Sequence, residues 1–243
     1  MLKKSVLLQE IGARLFERLN LIRLQPHFII ELGTGQDYFT QKLQKRFQPP
    51  QLWVVDISQN LKSMPPKRRW WQKRPAVIYA EAGNIPIPDH SVDLIFSNLA
   101  LNHCNNLPLV LSELKRLLTP NGLLHFSVFG PDTLKELPAV SHSFIDMHDI
   151  GDILQRNQFT GPVLNMERIS VEYTNKTNLE EDLMALGLQQ AGLLPTIIEK
   201  FPTTFEVIYG HAWGSPAPSS LVKKSPNEIL VPVSQLLKNK SIK

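Results

Sequence analysis

The feature that most narrows the fold of this chain is an alternation, between residues 28 and 128, of short apolar runs with helical stretches. Phe28–Leu32 (FIIEL) is apolar and runs into glycines, which predicts a strand entering a tight turn. Asp37 to Phe47 has helical character and stops before Pro49-Pro50. Leu52–Val55 is the next strand, closed by Asp56, and Val77–Ala80 and Val92–Phe96 are a third and a fourth. Leu107, Val110, Leu111, Leu114, Leu117 and Leu118 share one helical face, and Pro120-Asn121-Gly122 is expected to end that helix before a strand over Leu123–Val128. Strands and helices at these intervals build βαβ units, hence an α/β fold with a mostly parallel sheet. None of the runs alternates cleanly with polar residues, so both faces of the sheet should be covered.

The flanks extend the pattern. Leu8, Ile11, Leu15, Leu19 and Ile22 fall on one face of an amphipathic N-terminal helix, and Glu10, Arg14, Glu17 and Arg18 interrupt any secretion signal there. After Gly130, residues 146–157 and 178–188 read as helical, while 163–173 and 203–213 read as extended. The late strands would complete a seven-stranded Rossmann-like sheet, with a small lid inserted near 132–150. A single domain over 1–213 is expected, followed by a Pro/Ser-rich flexible basic tail over 214–243. The formal net charge of +4 equals that tail's balance, five lysines against Glu228, so residues 1–213 are neutral overall. Within them, Lys62, Lys67, Arg68, Arg69, Lys73 and Arg74 form a run with no acid between, beside Trp70 and Trp71. It would attract an acidic partner; nucleic acid is not expected, because no recognised binding motif accompanies it. No stretch is long and apolar enough for a membrane span, and the single Cys104 excludes an internal disulfide, so a cytoplasmic protein is expected.

Glu31-Leu32-Gly33-Thr34-Gly35 lies between the first strand and the first sheet helix, where glycines let a ligand approach the backbone. Asp56-Ile57 follows the second strand, about twenty-five residues on, where a carboxylate can accept both hydroxyls of a ribose. Glu81-Ala82 follows the third strand and can meet an adenine edge. Three such elements in order point to a nucleoside cofactor. The dinucleotide fingerprint needs a further glycine where Tyr38 stands, so the spacing fits S-adenosylmethionine, which has no pyrophosphate to cradle, better than a nicotinamide cofactor.

Four further segments carry a narrower likeness: Ser97–Cys104 (SNLALNHC), Phe129–Leu137 (FGPDTLKEL), Phe144–Gly151 (FIDMHDIG) and Phe205–Gly214 (FEVIYGHAWG). With the glycine loop they make the chain resemble the malonyl-acyl-carrier-protein O-methyltransferases of biotin synthesis, in order, from about Ile11 to Gly214. The chain departs from that pattern at Asp37, where the family has a third glycine, at Glu81 for Asp, and at Asn102-His103 for Gln-Trp. The resemblance implies a class I methyltransferase fold with S-adenosylmethionine as methyl donor. Glu31, Gly33, Gly35, Asp56, Ile57, Glu81, Ala82 and Asn98 are then the cofactor residues. The acceptor would be the free carboxylate of a malonyl thioester, on acyl carrier protein or on coenzyme A. Such a carboxylate is already ionised, so no general base is needed, and positioning and exclusion of water carry the reaction. A cation or donor should hold the malonyl group: Arg168, Lys135 and His148 are the candidates. No metal is expected, since nothing like HExxH accompanies His148. Two other functions fit the same features, a same-fold arginine hydroxylase or assembly factor and a non-catalytic paralogue.

Overall fold

A computed structural model describes residues 5–33, 38–56, 76–80, 83–137, 144–188 and 200–214. The N-terminal helix α1 (Val6–Arg18) starts where Ser5 Oγ accepts a hydrogen bond from Leu8 N at 3.1 Å, and it buries Leu7, Ile11 and Leu15. Strand β1 (Phe28–Leu32) is buried at all five positions. Next come α2 (Tyr38–Phe47), β2 (Gln51–Asp56), β3 (Ala76–Tyr79) and β4 (Val92–Asn98). Helix α3 (Leu107–Leu117) is capped by Asn106, whose side chain accepts from Leu109 N. Then follow β5 (Leu118–Phe129), α4 (Met147–Arg156), β6 (Thr160–Tyr173), α5 (Lys176–Ala185) and β7 (Phe201–Trp213).

The strands form one seven-stranded sheet in the order β3-β2-β1-β4-β5-β7-β6. β1 to β5 pair in parallel, and β7 runs against both of its neighbours, β5 and β6. The mostly parallel Rossmann-like sheet expected from the alternation is therefore present, with a single reversed strand next to its edge. One core lies under α1, α2 and α5, around Leu15, Phe39, Phe96 and Leu183; another lies under α3 and α4, around Leu114, Phe126 and Leu154.

One boundary departs clearly from the sequence reading. Pro120-Asn121-Gly122 does not separate α3 from a later strand but lies inside β5, where the register against β4 slips between Val92 and Leu94. The slip absorbs residues that regular pairing cannot hold: Pro120 has no N–H to donate, and a Cβ on Gly122 would stand 2.7 Å from the Val92 carbonyl. Within the segment 132–150, residues 147–150 are the first turn of α4, with Ile150 buried against the sheet. The basic run at 62–74 and the tail beyond Gly214 lie outside the described residues.

Candidate functional site

β1, β2, β4 and β5 all point their carboxyl ends to one edge of the sheet, and β1 and β4 are neighbours although β2 and β3 come between them in sequence. A crevice opens at such a switch point. Gly33 is the first residue beyond β1. Its φ of +94° is open to glycine but strained for other residues, and a Cβ there would lie 2.8 Å from the Cβ of Ala100. Its N–H donates to the Val55 carbonyl at 2.7 Å, so the turn begins tied to β2.

Two carboxylates stand at this edge. Glu31 is 4% exposed and accepts a short hydrogen bond from Thr40 Oγ1, which fastens β1 to the first turn of α2. Asp56 ends β2 at 2% exposure, and its carbonyl accepts from Ala80 N at 3.1 Å. Two nearly buried carboxylates thus stand beside the Gly33 turn at the carboxyl edge of the sheet. Gly35, Asp37, Ile57, Glu81 and Ala82 lie outside the described residues.

Asn98, at the end of β4, links three elements. Its Nδ2 donates to the Leu8 carbonyl of α1 at 3.1 Å, and its Oδ1 accepts from Ser127 Oγ at 2.9 Å. The next residue, Leu99, turns left-handed at φ +58° and donates its N–H to Ser127. α1 thus reaches the sheet edge over the first core. Gly12 makes that approach possible: a Cβ there would stand 2.2 Å from the Phe39 ring and 2.6 Å from Asn98 Nδ2. Sequence reasoning missed Gly12, and the available signal was a glycine inside an otherwise regular helical pattern. Further down, His125 Nε2–H donates to the Leu15 carbonyl at 2.8 Å, while burial pushes the His125 pKa down to about 4 and leaves the ring neutral.

The other half of the edge is ionic. Arg168, on β6, donates from Nη2 to Asp132 Oδ2 at 2.7 Å and to Glu206 Oε2 at 3.4 Å. Glu206 is nearly buried on β7 beside Gly130, where a Cβ would fall 2.2 Å from its carboxylate oxygen. Thr133 Oγ1 and Gly130 N both donate to the Glu206 carbonyl, at 2.9 Å each. Burial and the neighbouring Asp132 raise the Glu206 pKa. Lys135 is exposed in the same run of turns, three residues from Asp132. His148 is elsewhere in character: its side chain is 88% exposed, and its backbone N–H and Nδ1 lie 2.8 Å from Asp146 Oδ1, the cap of α4. The structure thus joins Arg168 to the FGPDT and FEV segments and places His148 with its own helix cap. Asn102 was not singled out as a site residue; its Oδ1 accepts from Phe129 N at 3.0 Å, and its buried Nδ2 has no partner among the described residues. Among those residues no group of three His, Cys, Asp or Glu side chains could hold a metal.

Residues 30–126 match the family model described as "Methyltransferase domain". Three curated proteins named malonyl-[acyl-carrier protein] O-methyltransferase are similar along most of their length. The protein from Halorhodospira halophila is 35% identical, over 86% of this chain and 82% of its own. That from Gallionella capsiferriformans is 36% identical, over 88% and 86%. The Coxiella burnetii protein, numbered 1, is 36% identical, over 94% and 88%. Among solved structures, Bacillus subtilis YcgJ superposes with a TM-score of 0.59 at 12% identity, covering 86% of this chain and 99% of that one. Phosphoethanolamine N-methyltransferase 2 of Haemonchus contortus, solved with S-adenosyl-L-methionine, superposes at 0.56 with 14% identity, covering 85% of this chain and 52% of that one.

Proposed function

The chain belongs to the malonyl-[acyl-carrier protein] O-methyltransferase family, and from that premise we propose that it methylates the free carboxylate of a malonyl thioester carried on acyl carrier protein. It is a methyltransferase whose methyl donor is S-adenosylmethionine. The reaction stands early in biotin synthesis, in the cytoplasm, and malonyl-coenzyme A is the alternative acceptor. The observation that carries the reading is the pair of nearly buried carboxylates, Glu31 and Asp56, at the ends of β1 and β2 beside the open turn at Gly33.

When bound, S-adenosylmethionine supplies a methyl group on a positively charged sulfur. In this reading Asp56 accepts the ribose hydroxyls, with Ile57 beside it, and Glu81 and Ala82 meet the adenine. Gly33 and Gly35 let the backbone approach the amino-acid end, near Glu31. Asn98 fixes α1 over the crevice, which restricts water. No general base is needed, because the malonyl carboxylate arrives ionised. Arg168 positions that carboxylate, with Asp132 and Glu206 fixing the guanidinium from the other side. Two acids on one guanidinium also temper its pull, so the nucleophile keeps its charge density. Lys135 and His148 are the further candidates to hold the malonyl carboxylate. In this reading residues 1–213 act as one domain, with the lid near 132–150.

The test is direct. Purified protein incubated with S-adenosylmethionine and malonyl-carrier protein should give the methyl ester by mass spectrometry, and the gene should restore growth without biotin to a strain lacking the pathway's methyltransferase. Absence of the ester from both carrier and coenzyme A thioesters overturns the reading.

A further inference from the structure

Helix α2 leaves the crevice edge at Tyr38 and carries Lys42, Lys45 and Arg46, with no acid between residues 38 and 48. Lys42 Nζ lies 4.5 Å from the centre of the Tyr38 ring, 5.6 Å from Phe39 and 5.7 Å from Phe16 of α1. The Arg46 guanidinium lies 4.8 Å from the Phe47 ring and 5.5 Å from Phe16. Its hydrogen bonds go to neutral oxygens, Asn20 Oδ1 at 2.5 Å and the Leu19 carbonyl at 2.8 Å. Among the described residues no carboxylate comes within ion-pair distance of Lys42, Lys45 or Arg46, whereas Arg14 and Arg18 of the neighbouring α1 both reach Glu167. Burial lowers the Arg46 pKa.

A cation held over aromatic rings is fixed in place without being neutralised, so its field stays available to a partner. Lys42 sits four residues along the helix from Tyr38, about 6 Å below the rim at 1.5 Å per residue. We propose that the face made by Lys42, Lys45 and Arg46 over Phe16 and Phe47 is the docking surface for an acidic protein, the carrier that brings the malonyl thioester to the crevice. The inference rests on the proposed acceptor and adds where its protein part binds. Acidic carriers complement this face in sign, and its nearness to the crevice mouth lets a flexible thioester arm enter while the carrier stays outside. Charges of this kind act on encounter and orientation more than on chemistry.

The test uses the full chain, with Lys42→Glu/Lys45→Glu as the main variant and Lys45→Glu alone as a change at an exposed position that leaves the Lys42 and Arg46 aromatic contacts untouched. At low salt the double variant should raise KM for malonyl-carrier protein about tenfold, and the single variant about threefold. Both should keep kcat/KM for a malonyl N-acetylcysteamine thioester, and affinity for S-adenosylmethionine, within twofold. The difference should shrink at high salt, where exposed charges are screened. Equal losses on both thioesters, or an unchanged KM for the carrier, overturn the docking site. If the wild-type chain methylates neither thioester, the proposed function has failed. Titration of labelled malonyl-carrier protein against wild type and double variant then decides docking, and equal affinity, or affinity for duplex DNA in place of the carrier, overturns it.

Discussion

Both halves of the sheet's carboxyl edge hold charge, and they hold it differently. On the side of β1 and β2, Glu31 and Asp56 sit at 4% and 2% exposure at the ends of buried parallel strands. On the side of β6 and β7, Arg168, Asp132 and Glu206 form an ion cluster whose guanidinium is about half exposed. The acids of the first half are shielded from solvent beside the Gly33 turn. The second half sets its one guanidinium against two carboxylates and keeps it open to solvent. The difference separates a half whose carboxylates are shielded from solvent from one whose cation stays half exposed.

Breaking the first half should give the largest effect. Asp56→Ala should weaken S-adenosylmethionine binding at least tenfold by calorimetry, because each hydrogen bond to a charged acceptor is worth about 1.5–3 kcal/mol. An unchanged dissociation constant in a folded variant removes Asp56 from the site. A pH titration sharpens the contrast by probing the neutral polar contacts under α1. With the folded pKa of His125 lowered to about 4, the unfolded chain binds a proton that the folded chain does not as pH falls from 6.5 toward 4. Stability is therefore fully present above pH 6.5 and is lost on acidification, by about 2 kcal/mol between pH 6.5 and 5. Denaturant midpoints for His125→Gln should lose most of that slope, and an identical slope would assign it elsewhere, His211 being the nearest other histidine.

Arg168→Gln addresses the second half. It should raise KM for the malonyl thioester about tenfold, the loss of one charge-assisted contact, while leaving S-adenosylmethionine affinity within twofold. Equal losses in both would show that the two halves do not act separately. The joint between them is read on stability: Asn98→Ala removes the contacts to Leu8 and Ser127 and should destabilise the fold by about 1 kcal/mol per hydrogen bond lost, read from urea unfolding.

What could be read in advance follows the same division. The strand of Phe28–Leu32 coincides with β1, and the expected helix of 146–157 is α4 with its two caps, because apolar periodicity and capping residues are local signals. Glu31 and Asp56 could be placed at strand ends for the same reason, whereas Arg168 was singled out only as a cation able to hold a carboxylate, with no local signal for its partners. Local signals could not reveal that Pro120 lies within β5, since a slipped register depends on which strand comes alongside. Nor could they reveal Gly12, whose missing side chain matters only because Phe39 and Asn98 close on it.

The sequence by itself determined the alternating α/β plan, the order of the strand-end acids and the family, all properties of residues near one another in the chain or of motifs matched in order. Only the tertiary structure decided that Arg168 meets Asp132, 36 residues away, and Glu206, 38 away, or that α1 hangs from Asn98 and His125, 90 and 110 residues away. Those contacts form between strands and helices that pack side by side without being consecutive. A charged or polar side chain acquires its partner, and with it its burial and its pKa, only when that packing is complete.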